Sequence, residues 1–196
     1  MSDISSFLFN ILPPCHLIVY STLLGTQLYQ TFVMTKVSYN ALSRPAFRTL
    51  QKRVFPLYFK AQACLVLLNA ITFPASGPGG LATNKADWIP HLIAGVTAIL
   101  NLSIYEPRTR RSMIQVAHQE ARDAQTPPKA VASDSERKEK EDSEPPPELL
   151  PVRQAAKKQF SRDHAMCIHL NLITIVATVI YGLRLASRVD VVAPVA

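Results

Sequence analysis

Cysteine is scarce in this sequence, with three residues among 196, and no two of them lie close together. The C-x-x-C redox motif and the cysteine spacings of zinc sites are therefore absent. No two histidines lie four residues apart, which argues against a metal site carried by one helix. Neither a nucleophile–base pair nor a paired-carboxylate motif is recognisable, so the sequence predicts a protein that is not an enzyme and uses no cofactor.

Basic residues are missing from the start of the chain, where Asp3 is the only charge before Lys36. A secretory signal begins with a positive region, and a mitochondrial presequence is rich in arginine. Because neither pattern occurs, we expect the first hydrophobic helix to direct insertion. The sequence favours an endomembrane or plasma-membrane location over a mitochondrial one.

What the chain does contain is long uncharged apolar blocks, with nearly all of its charge between them. A spanning helix needs about 20 predominantly apolar residues. Four windows come close to this length, at residues 15–35, 54–73, 88–105 and 166–186. They do not alternate apolar and polar residues as barrel strands do. The predicted fold is therefore all-α, an integral membrane four-helix bundle.

A charged, proline-rich segment separates the third and fourth windows. It has no aromatic residue with which to form a core and is predicted to be a disordered cytoplasmic linker. Its flanks are predicted as amphipathic segments or as extensions of the neighbouring helices. The predicted organisation is an N-terminal tail (1–14), helices one to three (15–123), the linker (124–151), helix four with a cytoplasmic extension (152–186) and a C-terminal tail (187–196).

Lysine and arginine counts predict the orientation, because cytoplasmic loops carry an excess of both. The first loop and the segment from Glu106 to Ala165 are rich in them, whereas the second loop has only Lys85. Both basic segments are therefore predicted to be cytoplasmic and both termini to lie on the other side. Arg184 and Arg188, near the end of the last helix, do not agree with this orientation.

The first loop has two interpretations. Its cations are Arg44, Arg48, Lys52 and Arg53. With Phe47, Leu50 and Val54 on one helical face, it fits a basic amphipathic helix that contacts anionic lipid. The alternative is a short loop whose charges only set the topology.

Polar residues on the fourth window recur at steps of three and four, and this spacing predicts one face turned into the bundle. They are His164, Cys167, Asn171, Thr174, Thr178 and Tyr181. Such residues can serve as packing contacts between helices or line a ligand or ion site. At the cytoplasmic end we predict one polar cluster, formed by Gln27, Glu106, Arg108, His164 and Asn171.

Four strings spread over all four windows make the chain similar to a known family. They are Gly25-x-Gln27 with Thr31-Phe32, Val54-Phe55-Pro56-Leu57-Tyr58-Phe59, Asn101 with Glu106-Pro107-Arg108-Thr109, and Phe160-x-x-x-His164 with Asn171-Leu172. On these residues the chain resembles the transmembrane protein 205 family over about residues 12–186. The resemblance implies four transmembrane helices and no established catalytic activity.

Two functions are consistent with the sequence. The first is a non-catalytic membrane protein in membrane organisation, trafficking or protein interaction, with the lipid bilayer as its environment and protein partners on the linker. The second is a small carrier or channel that uses the polar stripe, and this alternative predicts an oligomer because four short helices leave little room for a pathway. A nucleic-acid partner is not expected, since the basic residues follow the topology.

Overall fold

The computed structural model describes residues 2–73, 81, 84–125 and 150–188, which form four helices and no strand. The first and third helices each contain a π-helical turn, in which hydrogen bonds run from i to i+5. The first helix consists of Ser2–Leu28, the π-turn Tyr29–Met34 and Thr35–Ala41; the second is Arg44–Ile71; the third consists of Lys85–Leu100, the π-turn Asn101–Tyr105 and Glu106–Gln125; the fourth is Leu150–Ala186.

The helices expose apolar side chains and bury polar ones, which is the arrangement of a protein surrounded by lipid. Ile18, Leu57, Ile99 and Leu183 are each more than half exposed. Three helical segments are long and apolar enough to cross a membrane, and they are Arg44–Ile71, Lys85–Arg122 and Arg153–Ala186. The first helix, which is divided by its π-turn, is not among the three. The protein is thus a multi-pass, all-α membrane protein, as the sequence predicted.

Two helices continue past the prolines that border their predicted windows. The first helix begins at Ser2 and continues through Pro13 and Pro14, because prolines are tolerated inside membrane helices where neighbouring groups satisfy the freed carbonyls. The third helix continues past Pro107 to Gln125. Pro107 is the second residue of the α-helix that restarts after the π-turn, a position where the missing N–H costs little.

The basic segment of the first loop is the beginning of the second helix and not a separate surface helix. This helix begins at Arg44, with Pro45 in its first turn. Arg48 is ion-paired with Glu120 of the third helix, and the guanidinium of Arg44 lies 5.3 Å from the ring centroid of Tyr39. These two arginines are thus already partnered within the bundle.

The segment between the third and fourth helices confirms the prediction of helical extensions on both flanks. The third helix runs to Gln125 and the fourth begins at Leu150. Most of the predicted linker and the C-terminal tail, at residues 126–149 and 189–196, lies outside the described residues.

The polar stripe of the fourth helix does face inward. Cys167, Asn171, Thr174, Thr178 and Tyr181 are all less than 9 % exposed, whereas the aliphatic residues between them mostly face outward. A compact apolar cluster, formed by Leu23, Val66, Ala94 and Ala177, lies midway along the bundle. It divides the buried polar residues into two groups, one toward each end.

Gly182 of the fourth helix leaves room for the side chain of Tyr20 on the first helix. A Cβ atom at this position would lie 1.6 Å from the hydroxyl oxygen of Tyr20, and its ring would have to move. We expect Gly182→Ala to destabilise the protein by about 1–3 kcal/mol through overpacking, measured as the free energy of unfolding in mixed micelles of sodium dodecyl sulfate.

The matched control is Gly25→Ala, where no atom lies within 4 Å of the new Cβ. That change should be neutral or stabilise the helix by up to about 1 kcal/mol, because alanine loses less entropy in a helix than glycine. The clash explanation further requires that Tyr20→Ala restore part of the loss in the Gly182→Ala background. Additive losses would contradict it.

Candidate functional site

A cavity of about 220 Å³ lies between the four helices, at the end of the bundle that carries Lys52 and Arg110. We call this the basic end; it is the end predicted to be cytoplasmic. Both π-turns are at this level, since Gln30 and Thr31 of the first line the cavity and Glu106 directly follows the second. π-helical turns are frequent at functional sites.

Three of the five predicted cluster residues line this cavity, namely Glu106, His164 and Asn171. Gln27 and Arg108 do not line it. Gln27 is fully buried one turn before Thr31, and within the described part of the chain neither polar atom of its side-chain amide has a hydrogen-bond partner. Arg108 is exposed, because residues two apart on a helix point to nearly opposite sides.

Glu106 is the acidic group of the cavity. Its side chain is only 6 % exposed, and Oε1 accepts no hydrogen bond among the described residues. Arg110, one helical turn later, places its Nε 3.6 Å from that oxygen. The cation beside Glu106 is therefore Arg110 and not the predicted Arg108.

His164 lies on the opposite wall and stacks on an aromatic ring. Its centroid is 5.4 Å from that of Phe160, with an angle of 8° between the planes. Within the described chain no hydrogen bond joins His164 to Glu106. The two residues thus line the same cavity without a hydrogen bond between them.

Asn171 connects three helices at the inner end of the cavity. Its Oδ1 accepts hydrogen bonds from the Tyr58 hydroxyl (2.8 Å) and from Gln62 Nε2 (3.1 Å). Its own Nδ2 donates to Thr31 Oγ1 at 3.0 Å. Deeper in the bundle, the hydroxyl oxygens of Thr97 and Thr174 lie 2.7 Å apart. This network fixes the position of the cavity floor.

Sequence reasoning missed three further polar residues of the cavity wall. Gln30, Gln51 and Thr109 are 8 %, 3 % and 7 % exposed, and each has a buried polar atom without a partner in the described chain. For Gln51 a signal existed, since it shares a helical face with Phe55 and Tyr58. For Thr109 the signal was its position three residues after Glu106. For Gln30 there was no such signal, because it lies within a π-turn, where α-helical spacing does not predict the direction of a side chain.

A second polar cluster occupies the opposite end of the bundle. His16, which is 1 % exposed, lies 2.5 Å from the Tyr181 hydroxyl and 3.2 Å from Thr72 Oγ1. His91 Nε2 of the third helix lies 2.6 Å from Asn69 Oδ1. The cavity at this level measures about 10 Å³, near the lower limit for one water molecule. The described side chains thus leave little open space within this cluster.

Asp87 is ion-paired with both of the arginines that disagreed with the predicted orientation. It is 1 % exposed, and its oxygens lie 3.0 Å from Arg184 Nε and 2.6 Å from an Arg188 terminal nitrogen. Because these cations are paired with a buried carboxylate, they are weaker evidence against the predicted orientation, in which this end of the bundle lies on the non-cytoplasmic side. The orientation itself stays a prediction.

Residues 18–118 match the model of a protein family that is described as a domain of unknown function, DUF4149. This match extends over more than half of the chain. The chain belongs to the DUF4149 family. The matched range includes Gln27, Gln51, Glu106 and Arg110, so three walls of the cavity lie in the domain that defines the family. The fourth wall, which carries His164 and Asn171, follows it.

This DUF4149 protein is also similar to a curated fungal protein. It is 38 % identical over 174 residues to Xanthocillin biosynthesis cluster protein D of Aspergillus fumigatus, which covers 89 % of this chain and 88 % of the relative. No solved structure matches the chain. The resemblance to the transmembrane protein 205 family stays a prediction, since neither of the two matches carries that name.

Proposed function

We propose that this DUF4149 protein binds a small amphipathic molecule in the cavity of the basic end and acts as a carrier for it, without catalysing a reaction. One observation carries the proposal. The cavity is lined by buried polar atoms that have no partner in the described chain, on Gln30, Gln51, Glu106 and Thr109. A buried polar atom left without a hydrogen bond costs free energy, and a ligand that supplies the missing partners recovers it.

The mixture of apolar and polar residues that line the cavity supports an amphipathic ligand. Rings of Phe55, Phe59 and Phe160 lie on its walls together with the polar groups. Ligand sites are typically apolar clefts with a few polar groups that fix the orientation of the ligand. The small volume favours a compact molecule or one end of a longer molecule.

The relative supports metabolite handling over trafficking, because it is named for a biosynthesis cluster. The interpretation as an organising or trafficking protein depended on the linker as the segment that binds partners. Most of that linker lies outside the described residues, so nothing in the described bundle favours it. Contact of the exposed Arg53, which does not line the cavity, with anionic lipid is compatible with the carrier proposal.

A carrier has to release its ligand on the opposite side of the membrane. At that end of the bundle the cluster of His16, His91 and Tyr181 leaves little open space. Opening there requires the fourth helix to move relative to the first and third. Four helices leave little room for an alternating-access pathway within one copy of the chain, so we propose that the carrier works as an oligomer. Its membrane is proposed to be an endomembrane or the plasma membrane.

The test fills the mouth of the cavity from its lipid-facing side. Ile168 lines the cavity yet is 51 % exposed, so Ile168→Trp should be compatible with folding. The matched control is Ile180→Trp on the same helix, at a residue that is 47 % exposed and does not line the cavity. We expect small molecules that copurify with the wild type, detected by native mass spectrometry, to be lost from the first variant and kept by the second.

Flux into proteoliposomes, measured with a panel of labelled amphipathic solutes, separates a carrier from a binding protein. Carrier function predicts flux in the wild type and in Ile180→Trp, with a loss of about tenfold or more in Ile168→Trp. Equal retention of ligands by both variants would overturn the assignment of function to this cavity.

A further inference from the structure

Three acceptor oxygens face the same cavity without a donor. They are Glu106 Oε1, Gln51 Oε1 and Thr109 Oγ1, and none has a hydrogen-bond partner among the described residues. The threonine could donate, but it has no acceptor among the described residues. Glu106 and Thr109 are three residues apart and share a helical face, with Gln51 on the neighbouring second helix. The unmet demand at this wall is for hydrogen-bond donors.

A primary ammonium group meets such a demand best. It offers three N–H donors and no acceptor, whereas a hydroxyl group offers one donor and a quaternary ammonium offers none. The carboxylate of Glu106 adds charge to these hydrogen bonds, which makes them roughly twice as strong as neutral ones. A group with several donors and a positive charge is thus complementary to the acceptor wall.

Two cations and a buried donor also line the cavity. Lys52, which follows Gln51, has no acidic partner in the described chain, whereas Arg110 is paired with Glu106. Gln30 Nε2 is a buried donor that has no acceptor among the described residues. A ligand with an ammonium group alone would add to the positive charge here, so the same ligand needs an anionic group for Lys52 and Gln30.

We infer that the cavity recognises a zwitterion, a molecule with a primary ammonium group held by Glu106, Gln51 and Thr109 and an anionic group held by Lys52 and Gln30. The aromatic walls hold its apolar part. This inference rests on the proposed function, because it names the ligand class of the same cavity. The chemistry is shared by two sources, the headgroup of an aminophospholipid and a free amino acid with an apolar side chain.

Binding to the full-length protein in detergent micelles tests the inference with two sets of probes. The lipid set is phosphatidylethanolamine, phosphatidylcholine and phosphatidylglycerol, scored by native mass spectrometry. The soluble set is phenylalanine, phenethylamine and 3-phenylpropionate, scored by calorimetry. We expect the zwitterion with a primary ammonium to bind about tenfold more tightly than its set partners. The set in which this preference occurs identifies the source.

Two variants then test the contacts with the two ends of the ligand one at a time. Glu106→Gln should weaken zwitterion binding about tenfold and leave the carboxylate or phosphatidylglycerol unaffected. Lys52→Met should weaken the zwitterion but not phenethylamine. The controls are Arg108→Gln and Arg53→Met, which remove exposed cations beside the tested residues and off the cavity wall. If Glu106→Gln does not fold, Thr109→Val removes one acceptor without changing charge and should show a smaller loss in the same direction.

The inference is overturned if phosphatidylcholine binds as well as phosphatidylethanolamine and phenethylamine as well as phenylalanine, if none of the six probes binds, or if Glu106→Gln and Thr109→Val change nothing. Different outcomes contradict the zwitterion inference and the proposed function. If 2-phenylethanol, which carries no charge, binds as well as phenylalanine and Ile168→Trp abolishes its binding, the cavity is a ligand site but does not select zwitterions. If Ile168→Trp leaves every interaction intact, the cavity is not the site.

Discussion

Replacing Asp87 with asparagine is expected to destabilise the protein by about 2–3 kcal/mol. The substitution keeps the shape of the side chain but leaves Arg184 and Arg188 without the buried carboxylate that now contacts both. Breaking a fully buried ion pair costs roughly 3–5 kcal/mol. Both arginine side chains are more than a third exposed, so water recovers part of that cost. The free energy of unfolding in sodium dodecyl sulfate measures the effect.

The matched control is Glu120→Gln, which breaks the ion pair with Arg48 at the basic end. Both side chains of that pair are about one-third exposed, and the expected cost is about 1 kcal/mol or less. Adding Arg184→Gln and Arg188→Gln to the Asp87 variant should recover part of its loss, because no unpaired charge then remains. A loss from Glu120→Gln as large as that from Asp87→Asn would show that burial of the carboxylate is not what matters.

Asn171→Leu is the second substitution with a large expected effect, a loss of about 2 kcal/mol. Hydrogen bonds inside membrane proteins contribute about 0.6 kcal/mol each on average, and Asn171 makes three, to Tyr58, Gln62 and Thr31. The leucine also leaves the Tyr58 hydroxyl buried without its acceptor. Unfolding in sodium dodecyl sulfate again gives the free energy.

His169→Leu is the control for this change, since His169 is an exposed polar residue on the same helix. Its replacement should have little effect or stabilise the protein in a lipid-like environment. A double-mutant cycle of Asn171→Leu with Tyr58→Phe should show losses that are not additive, because both remove the same bond. Strict additivity would mean that the two residues do not interact in the folded protein.

The sequence was sufficient for the elements of this fold and for the inward face of the fourth helix. The windows 88–105 and 166–186 lie inside two of the three helices that can span a membrane, and the window 54–73 overlaps the remaining one up to Ile71. Hydrophobic length and the spacing of polar residues determine both features, and both are local properties of the sequence. The predictions were less successful for helix ends, because proline is a weaker stop signal in a membrane than in water.

The composition of the candidate site depended on geometry that spacing does not reveal. In an uninterrupted α-helix, Tyr105 and Arg108 would lie on the same face as Asn101. The π-turn Asn101–Tyr105 places Glu106 and Thr109 on that face instead. The pairing of Asp87 with Arg184 likewise joins residues 97 positions apart, and no local pattern indicates it.

A π-helical turn amounts to one extra residue in an α-helix, and it rotates everything beyond it by about 100°. The chemistry of this cavity is therefore determined by chain length as well as by side-chain identity. Removing one residue between Asn101 and Glu106 would change the face that the rest of the third helix presents to the cavity, although every lining residue would still be in the chain. Among related proteins, the insertion or deletion of a single residue at either π-turn would thus change which side chains line this cavity.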